Sequence, residues 1–134
     1  MQAAVLLAQV SKFEKILDES KLRYDILANN LMDFKRPMYK ECIPSYDTFM
    51  IRTDEKTEKV LKILEEKNIS SKNVPSAMNW HCSYYWKHFD FLNFQKANEK
   101  CFEILSNYVA IGIFLTKPLI FYSELAEEIK EVLG

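Results

Sequence analysis

Apolar residues recur along this chain with two different periods, and each change of period marks an element. From Gln2 to about Asp33 the residues Val5, Leu6, Val10, Phe13, Ile16, Leu17, Leu27 and Leu31 mostly keep helical spacing, with Lys12, Glu14, Lys15 and Glu19 between them. This predicts one long amphipathic helix, bent near Ser20. Pro37 and Pro44 in KRPMYKECIPSYD disfavour helix at the residues before them, so a connecting segment follows. In YDTFMIRT, residues 46–53, the period drops to two. Phe49 and Ile51 share one face and Tyr46, Thr48 and Met50 the other, which predicts an inner strand buried largely on both sides. A helix is expected over 54–67, with Thr53 or Asp54 as N-cap, Val60, Leu61 and Leu64 as its inner stripe, and Asn68 as its left-handed stop. After a long stretch without a period, Ala97, Cys101, Ile104, Leu105 and Tyr108 predict another helix. VAIGIFLT, residues 109–116, reads as a short strand in which Gly112 marks a close approach. Ser123 is the expected cap of a last helix with Leu125, Ile129, Val132 and Leu133 inside. Strands separated by helices predict a small α/β or α+β sandwich, with a short, mostly antiparallel sheet.

Composition narrows the function classes more than the fold. The 134 residues are 49% apolar and 13% aromatic, which fits a single domain with a real core. With 18 basic and 19 acidic residues the net charge is −1, and no run of one sign offers a footprint for nucleic acid or anionic lipid. Cys42, Cys82 and Cys101 are odd in number and widely spaced, a usage that suits a reducing compartment and makes the cytoplasm the expected location. No basic segment precedes AAVLLAQV as a signal peptide requires, and no stretch is long enough to span a bilayer. Gly112 and Gly134 are the only glycines. Phosphate-cradling loops need glycine so that backbone amides approach the ligand, so no such loop is encoded in this sequence.

Candidate chemistry gathers in KNVPSAMNWHCSYYWKH, residues 72–88, which holds both histidines, both tryptophans, a cysteine and two tyrosines. His81, Cys82 and His88 do not have zinc spacing. A nucleophilic Cys82 served by His81 is disfavoured, because neighbours in an extended segment point opposite ways and buried thiols are inert. The aromatic residues Tyr84, Tyr85, Trp86 and Phe89 suit packing on the core or a partner better than base stacking, since no basic groove accompanies them. Lys72, Asn79 and His81 remain as polar ligand contacts.

The same residues resemble a known family. MQAAVLLAQVSKFEKILDESKLRYDIL is similar to the stretch that follows the Asn-Arg motif of the DegT/DnrJ/EryC1/StrS sugar aminotransferases, through Gln2, Ala3 and Ala4, then Ala8 and Gln9, then Arg23 and Tyr24. YDTFMIRT, LEEKNISSKNVP, ILSNYVAIGIFL and YSELAEEIKEVL follow in the order of that family's C-terminal domain, with Asn68 where the family often has glycine. The resemblance covers nearly the whole chain. Residues 72–88 depart from the family's commoner Tyr-x-x-Pro version and look more like the branch that aminates an octulosonate sugar.

The resemblance implies the small C-terminal domain of a fold-type-I transferase, residues 1–134, with 1–33 as a long connecting helix and Met1 as an internal methionine of the family motif. It implies transfer of an amino group from an amino acid, typically glutamate, to a keto-sugar by pyridoxal 5'-phosphate. In that family the Schiff-base lysine and the acidic partner of the pyridine nitrogen lie in a large domain upstream, so no catalytic residue carries over and the chain alone is expected to be inactive and not to hold the cofactor. What carries over is a substrate-facing loop, with Lys72, Asn79, Trp80 and His81 as the sugar contacts. The implied partners are that large domain and a second copy of the chain; a homo-oligomer is expected, and self-association of the isolated chain. The competing expectation is a non-catalytic binding or interaction module built on the same small domain.

Overall fold

The computed structural model describes residues 7, 10–35, 41–71, 74–75, 77–86 and 94–134. Its elements are α1 (Phe13–Asn30), β1 (Thr48–Arg52), α2 (Thr57–Glu66), a single helical turn α3 (Met78–His81), α4 (Phe94–Ser106), β2 (Tyr108–Gly112) and α5 (Leu119–Leu133). Three-residue 3₁₀ turns follow α1 at Met32–Phe34, lead into α2 at Asp54–Lys56 and follow α3 at Ser83–Tyr85. The architecture is α+β, with one two-stranded antiparallel sheet among the described residues.

Alternation in the strands sets the core. Phe49, Ile51, Val109 and Ile111 are all fully buried, and the pairs Phe49–Ile111 and Ile51–Val109 stand opposite each other in the ladder. In the same core cluster are Leu27 of α1 and Leu31 just after it, Val60 and Leu64 from α2, and Tyr122, Leu125 and Ile129 from α5. Thr48 and Met50, one residue out of phase, are only half-buried. β1 is therefore not the inner strand expected from its sequence. Its one ladder partner among the described residues is β2, and its other edge meets an isolated bridge between Lys35 and Ile51.

Several boundaries differ from the sequence expectation for local reasons. β1 starts two residues late because Tyr46 has φ 56°, a left-handed turn that no strand accommodates. β2 stops at Gly112 because Phe114 leaves the ladder, its N–H donating to the Tyr122 hydroxyl at 2.7 Å. α1 starts at Phe13, after a turn at Ser11–Lys12 that interrupts the one long helix expected from Gln2, and is continuous through Ser20, which is buried; residues 1–6 and 8–9 of the expected helix lie outside the described ones. Neither Thr53 nor Asp54 caps α2 with its side chain: Thr53 Oγ1 lies 2.7 Å from Thr57 Oγ1, and the Asp54 carboxylate accepts from Arg52 Nε at 2.8 Å. Ser123 is not a cap either, since α5 begins a turn earlier, behind Pro118. Val132 is half-buried against the core rather than inside it. The stop of α2 is as expected. Asn68 has φ 55°, its N–H bonds Glu65 O at 2.9 Å, and the Ile69 N–H reaches back to Leu64 O at 2.8 Å, a Schellman closure with Ile69 packed into the core.

α1 and α5 pack together, with the middle of α1 beside the start of α5. Arg23, midway along α1, is 7% exposed and donates to the carbonyls of Lys117 at 3.1 Å and Leu115 at 3.3 Å just before α5, while its third nitrogen binds Glu19 Oε2 at 2.9 Å. Near their ends Phe34 and Leu133 line one cleft. Lysines close two helix ends: Lys56 Nζ donates to Leu133 O at 2.8 Å, and Lys117 Nζ to Lys67 O at 3.2 Å.

Candidate functional site

The segment that follows α2 is hung on the open edge of β2. In that strand the Gly112 N–H donates to Ser70 O at 3.1 Å and the Ala110 N–H to Val74 O at 2.8 Å. Gly112 permits this approach. A Cβ there would stand 2.8 Å from the Phe114 ring and 3.1 Å from the Ser70 carbonyl, so the close contact read from the sequence is present.

Beyond Pro75 the chain makes the single turn α3. Cys82 N–H closes it on Met78 O at 2.8 Å. Met78 and Cys82 are four apart, hence on one side of a helical turn, and both are buried, at 7% and 8% exposure. The three residues between them must then face outwards. Asn79 and His81 are exposed and the Trp80 side chain is 79% exposed. Three of the four residues expected from sequence to contact a ligand are thus contiguous on one surface; Lys72 lies outside the described residues.

Aromatic packing holds the turn from behind. The Tyr84 ring stacks on Phe102 of α4 with centroids 4.1 Å apart and planes 11° from parallel, and Tyr85 meets Phe102 edge-on at 5.5 Å. Trp86 Nε1 donates to the Trp80 carbonyl at 3.2 Å, tying the Trp86 side chain to the backbone of the turn. Tyr84, Tyr85 and Trp86 are thus packing residues, as their sequence context suggested, and Trp80 alone of these four aromatics is left nearly bare. Cys82 is a buried packing thiol facing away from His81, whereas Cys42 and Cys101 are exposed, and all three are free. Phe89 and His88 lie outside the described residues.

Chemically this surface offers an indole face, a carboxamide and an imidazole. Such a set stacks on an apolar ring face and exchanges hydrogen bonds with hydroxyls. Among the described residues it has no nucleophile paired with a base, and no group of three or more His, Cys, Asp or Glu placed to hold a metal ion.

Sequence reading missed a second concave region. Arg52, Lys100, Glu103, Ile104, Asn107 and Tyr108 line an open cleft of about 310 Å³. Its lining comes from the end of β1, from α4 and from the start of β2, so no local motif announces it. Arg52 is held by Asp54, and the Asn107 carbonyl accepts the Thr53 N–H at 2.8 Å, which fixes that corner.

No described glycine has positive φ, and the Gly112 amide is already spent on Ser70. The left-handed residues Tyr46, Asp54 and Asn68 sit in separate turns rather than forming a run of convergent amides. Lys56 and Lys117 are occupied on helix ends. No helix among the described residues is long and apolar enough to cross a membrane. No protein-family model, curated protein or solved structure matches this chain.

Proposed function

We propose that this chain is the substrate-side small domain of a cytoplasmic, pyridoxal-phosphate-dependent aminotransferase that moves an amino group from glutamate or a similar amino acid to a keto-sugar. The reading rests on the ordered resemblance to the DegT/DnrJ/EryC1/StrS family, and the observation that carries it is the exposed Asn79–Trp80–His81 surface on a turn clamped from behind. A large apolar ring left bare on an otherwise packed segment is suited to a ligand that brings its own apolar face, as a sugar ring does. The Schiff-base lysine and the grip on the cofactor come from a large domain of the same family; this chain contributes sugar contacts and subunit contacts.

The test uses a Trp86→Phe chain, whose remaining indole is Trp80. Titration with an octulosonate sugar is expected to quench its emission saturably, and Trp80→Ala in the wild-type background to weaken binding about 10- to 100-fold, matching about 1.5–3 kcal/mol of lost apolar contact. Mixing with a family large domain that carries the lysine is expected to yield glutamate-dependent transamination that neither partner shows alone. A lysine of this chain fixed to pyridoxal phosphate by borohydride in the chain alone, at one per molecule, overturns the assignment of the cofactor to another domain. Absence of both sugar binding and large-domain assembly overturns the whole reading in favour of an interaction module.

A further inference from the structure

α4 is used on two sides. Phe102 carries the Tyr84 ring, whereas Lys100 and Ile104, each two residues from it, stand about 160° around the helix. Spacings of three, one and three place Lys100, Glu103, Ile104 and Asn107 in one row, and all four line the cleft of about 310 Å³. The rest of that lining is Arg52 and Tyr108, the last pair of the β1–β2 ladder, which share the sheet face turned away from Ile51 and Val109. Ile104 belongs to the stripe that its period assigns to the core, yet it is 51% exposed, between two charged residues of its row.

The polar groups of this cleft are held in place but not used up. The Asn107 carbonyl accepts the Thr53 N–H at 2.8 Å and the Asp54 N–H at 3.3 Å, and Asn107 Nδ2 donates to the Glu103 carbonyl at 3.0 Å. Arg52 is 63% exposed, but its Nε is fixed on the Asp54 carboxylate at 2.8 Å, which leaves the end-on pair of Nη groups for another acceptor. Asp54 first, and the Tyr108 phenol more weakly, raise Arg52 above its ordinary value, so the guanidinium stays charged. Among the described residues no hydrogen bond or ion pair engages those Nη groups, the Lys100 ammonium or the Glu103 carboxylate. With Arg52 and Lys100 against Glu103, the lining has a net charge of +1 in a chain of −1.

We propose that this cleft binds a small organic monocarboxylate with an apolar body, the carboxylate on the two Nη groups of Arg52 and the body against Ile104. A planar carboxylate accepts two parallel bonds from such a fork, and the Asp54 contact orients the fork before the ligand arrives. Lys100 and the Tyr108 hydroxyl supply further donors. A lining of +1 is answered by one negative charge, and a second would meet Glu103. The space lies at the lower end of the roughly 300–1,000 Å³ of small-molecule sites, which keeps the body small. The inference stands without the sugar reading, and its failure leaves the Trp80 titration unaffected.

The full chain is titrated with isocaproate and followed by amide NMR shifts. Saturable shifts are expected at Arg52, Ile104 and Tyr108, while Asn79, Trp80 and His81 stay in place. Three further probes on the same wild-type chain separate the contributions. Isocaproamide, which has the body without the charge, and acetate, which has the charge without the body, are each expected to bind about tenfold more weakly, and leucine, isocaproate with an added ammonium, at least threefold more weakly. Arg52→Lys keeps the charge without the fork and is expected to raise the isocaproate Kd about tenfold. Ile104→Ser is expected to weaken isocaproate but not acetate, and Glu103→Gln to tighten isocaproate about twofold, all three with unchanged far-ultraviolet circular dichroism. Absence of saturable shifts in the wild type overturns the proposal, as does isocaproamide or acetate binding as well as isocaproate. Leucine binding more tightly than isocaproate, with the gain lost in Glu103→Gln, overturns the monocarboxylate in favour of a zwitterion. An Arg52→Lys chain that binds isocaproate as the wild type does overturns the placement of the carboxylate.

Discussion

Arg23 shows how much one side chain holds. It is buried and its guanidinium reaches the carbonyls of Glu19, Leu115 and Lys117 and the Glu19 carboxylate. Arg23→Ala strands those acceptors and is expected to cost about 2–4 kcal/mol in urea denaturation, with little recovered by Arg23→Lys, whose single ammonium has no planar fork. Gly112→Ala is expected to cost about 1–2 kcal/mol through contact with the Phe114 ring, and Phe114→Leu in the same chain to relieve most of it, a coupling that a double-mutant cycle measures. These two residues were not equally legible in the sequence. A glycine inside VAIGIFLT is odd enough to announce a close neighbour. Arg23 stands on a helix among other charged residues, and its distant acceptors are backbone carbonyls, which carry no sequence signal.

Elements were legible where periodicity ran long and illegible where one turn decided the structure. α2 and α5 bury their apolar stripes and α1 the later part of its own, and Asn68 ends α2 through a preference that the residue itself carries; α4 forms where its period predicts, but Cys101 and Ile104 of its stripe are exposed and Tyr108 belongs to β2. α3 is a single turn, too short for any period, and only the burial of Met78 and Cys82 reveals that Asn79, Trp80 and His81 point the other way. The boundary errors have the same origin. Ser123 has the chemistry of a cap, but Pro118 fixes the backbone that starts α5 a turn earlier. Ser123→Ala is therefore expected to change stability by less than about 0.5 kcal/mol, where loss of a true cap costs about 1 kcal/mol, as thermal denaturation can distinguish. The clamp on the site turn belongs to this scale too. Phe102→Ala removes the ring on which Tyr84 stacks, and is expected to shift Trp86 emission to the red while the far-ultraviolet signal of the helices persists.

The whole molecule answers to pH through its buried phenols. Burial, the largest cause, raises Tyr122 and Tyr24 above their ordinary value of 10.0, assisted at Tyr24 by the nearby Tyr46 and Asp25 and opposed at Tyr122 by the Phe114 backbone bond and Arg23. Above that value the unfolded chain loses these protons while the folded chain retains them, so stability is full below it and falls as pH rises past it. Urea midpoints measured from about pH 8 to 11 are expected to show this loss, and Tyr122→Phe to flatten it while lowering stability at neutral pH by about 1 kcal/mol through the lost bonds to Phe114. The attachment of the site segment to β2 has a separate consequence. Along that strand the amides alternate in what they report: Ala110 and Gly112 are protected only while the segment from Ser70 to Val74 stays docked, whereas Ile113 is protected by Asp47 across the sheet. Deuterium entering at the first two positions ahead of the third times how often the segment leading to the Trp80 turn lifts off the strand.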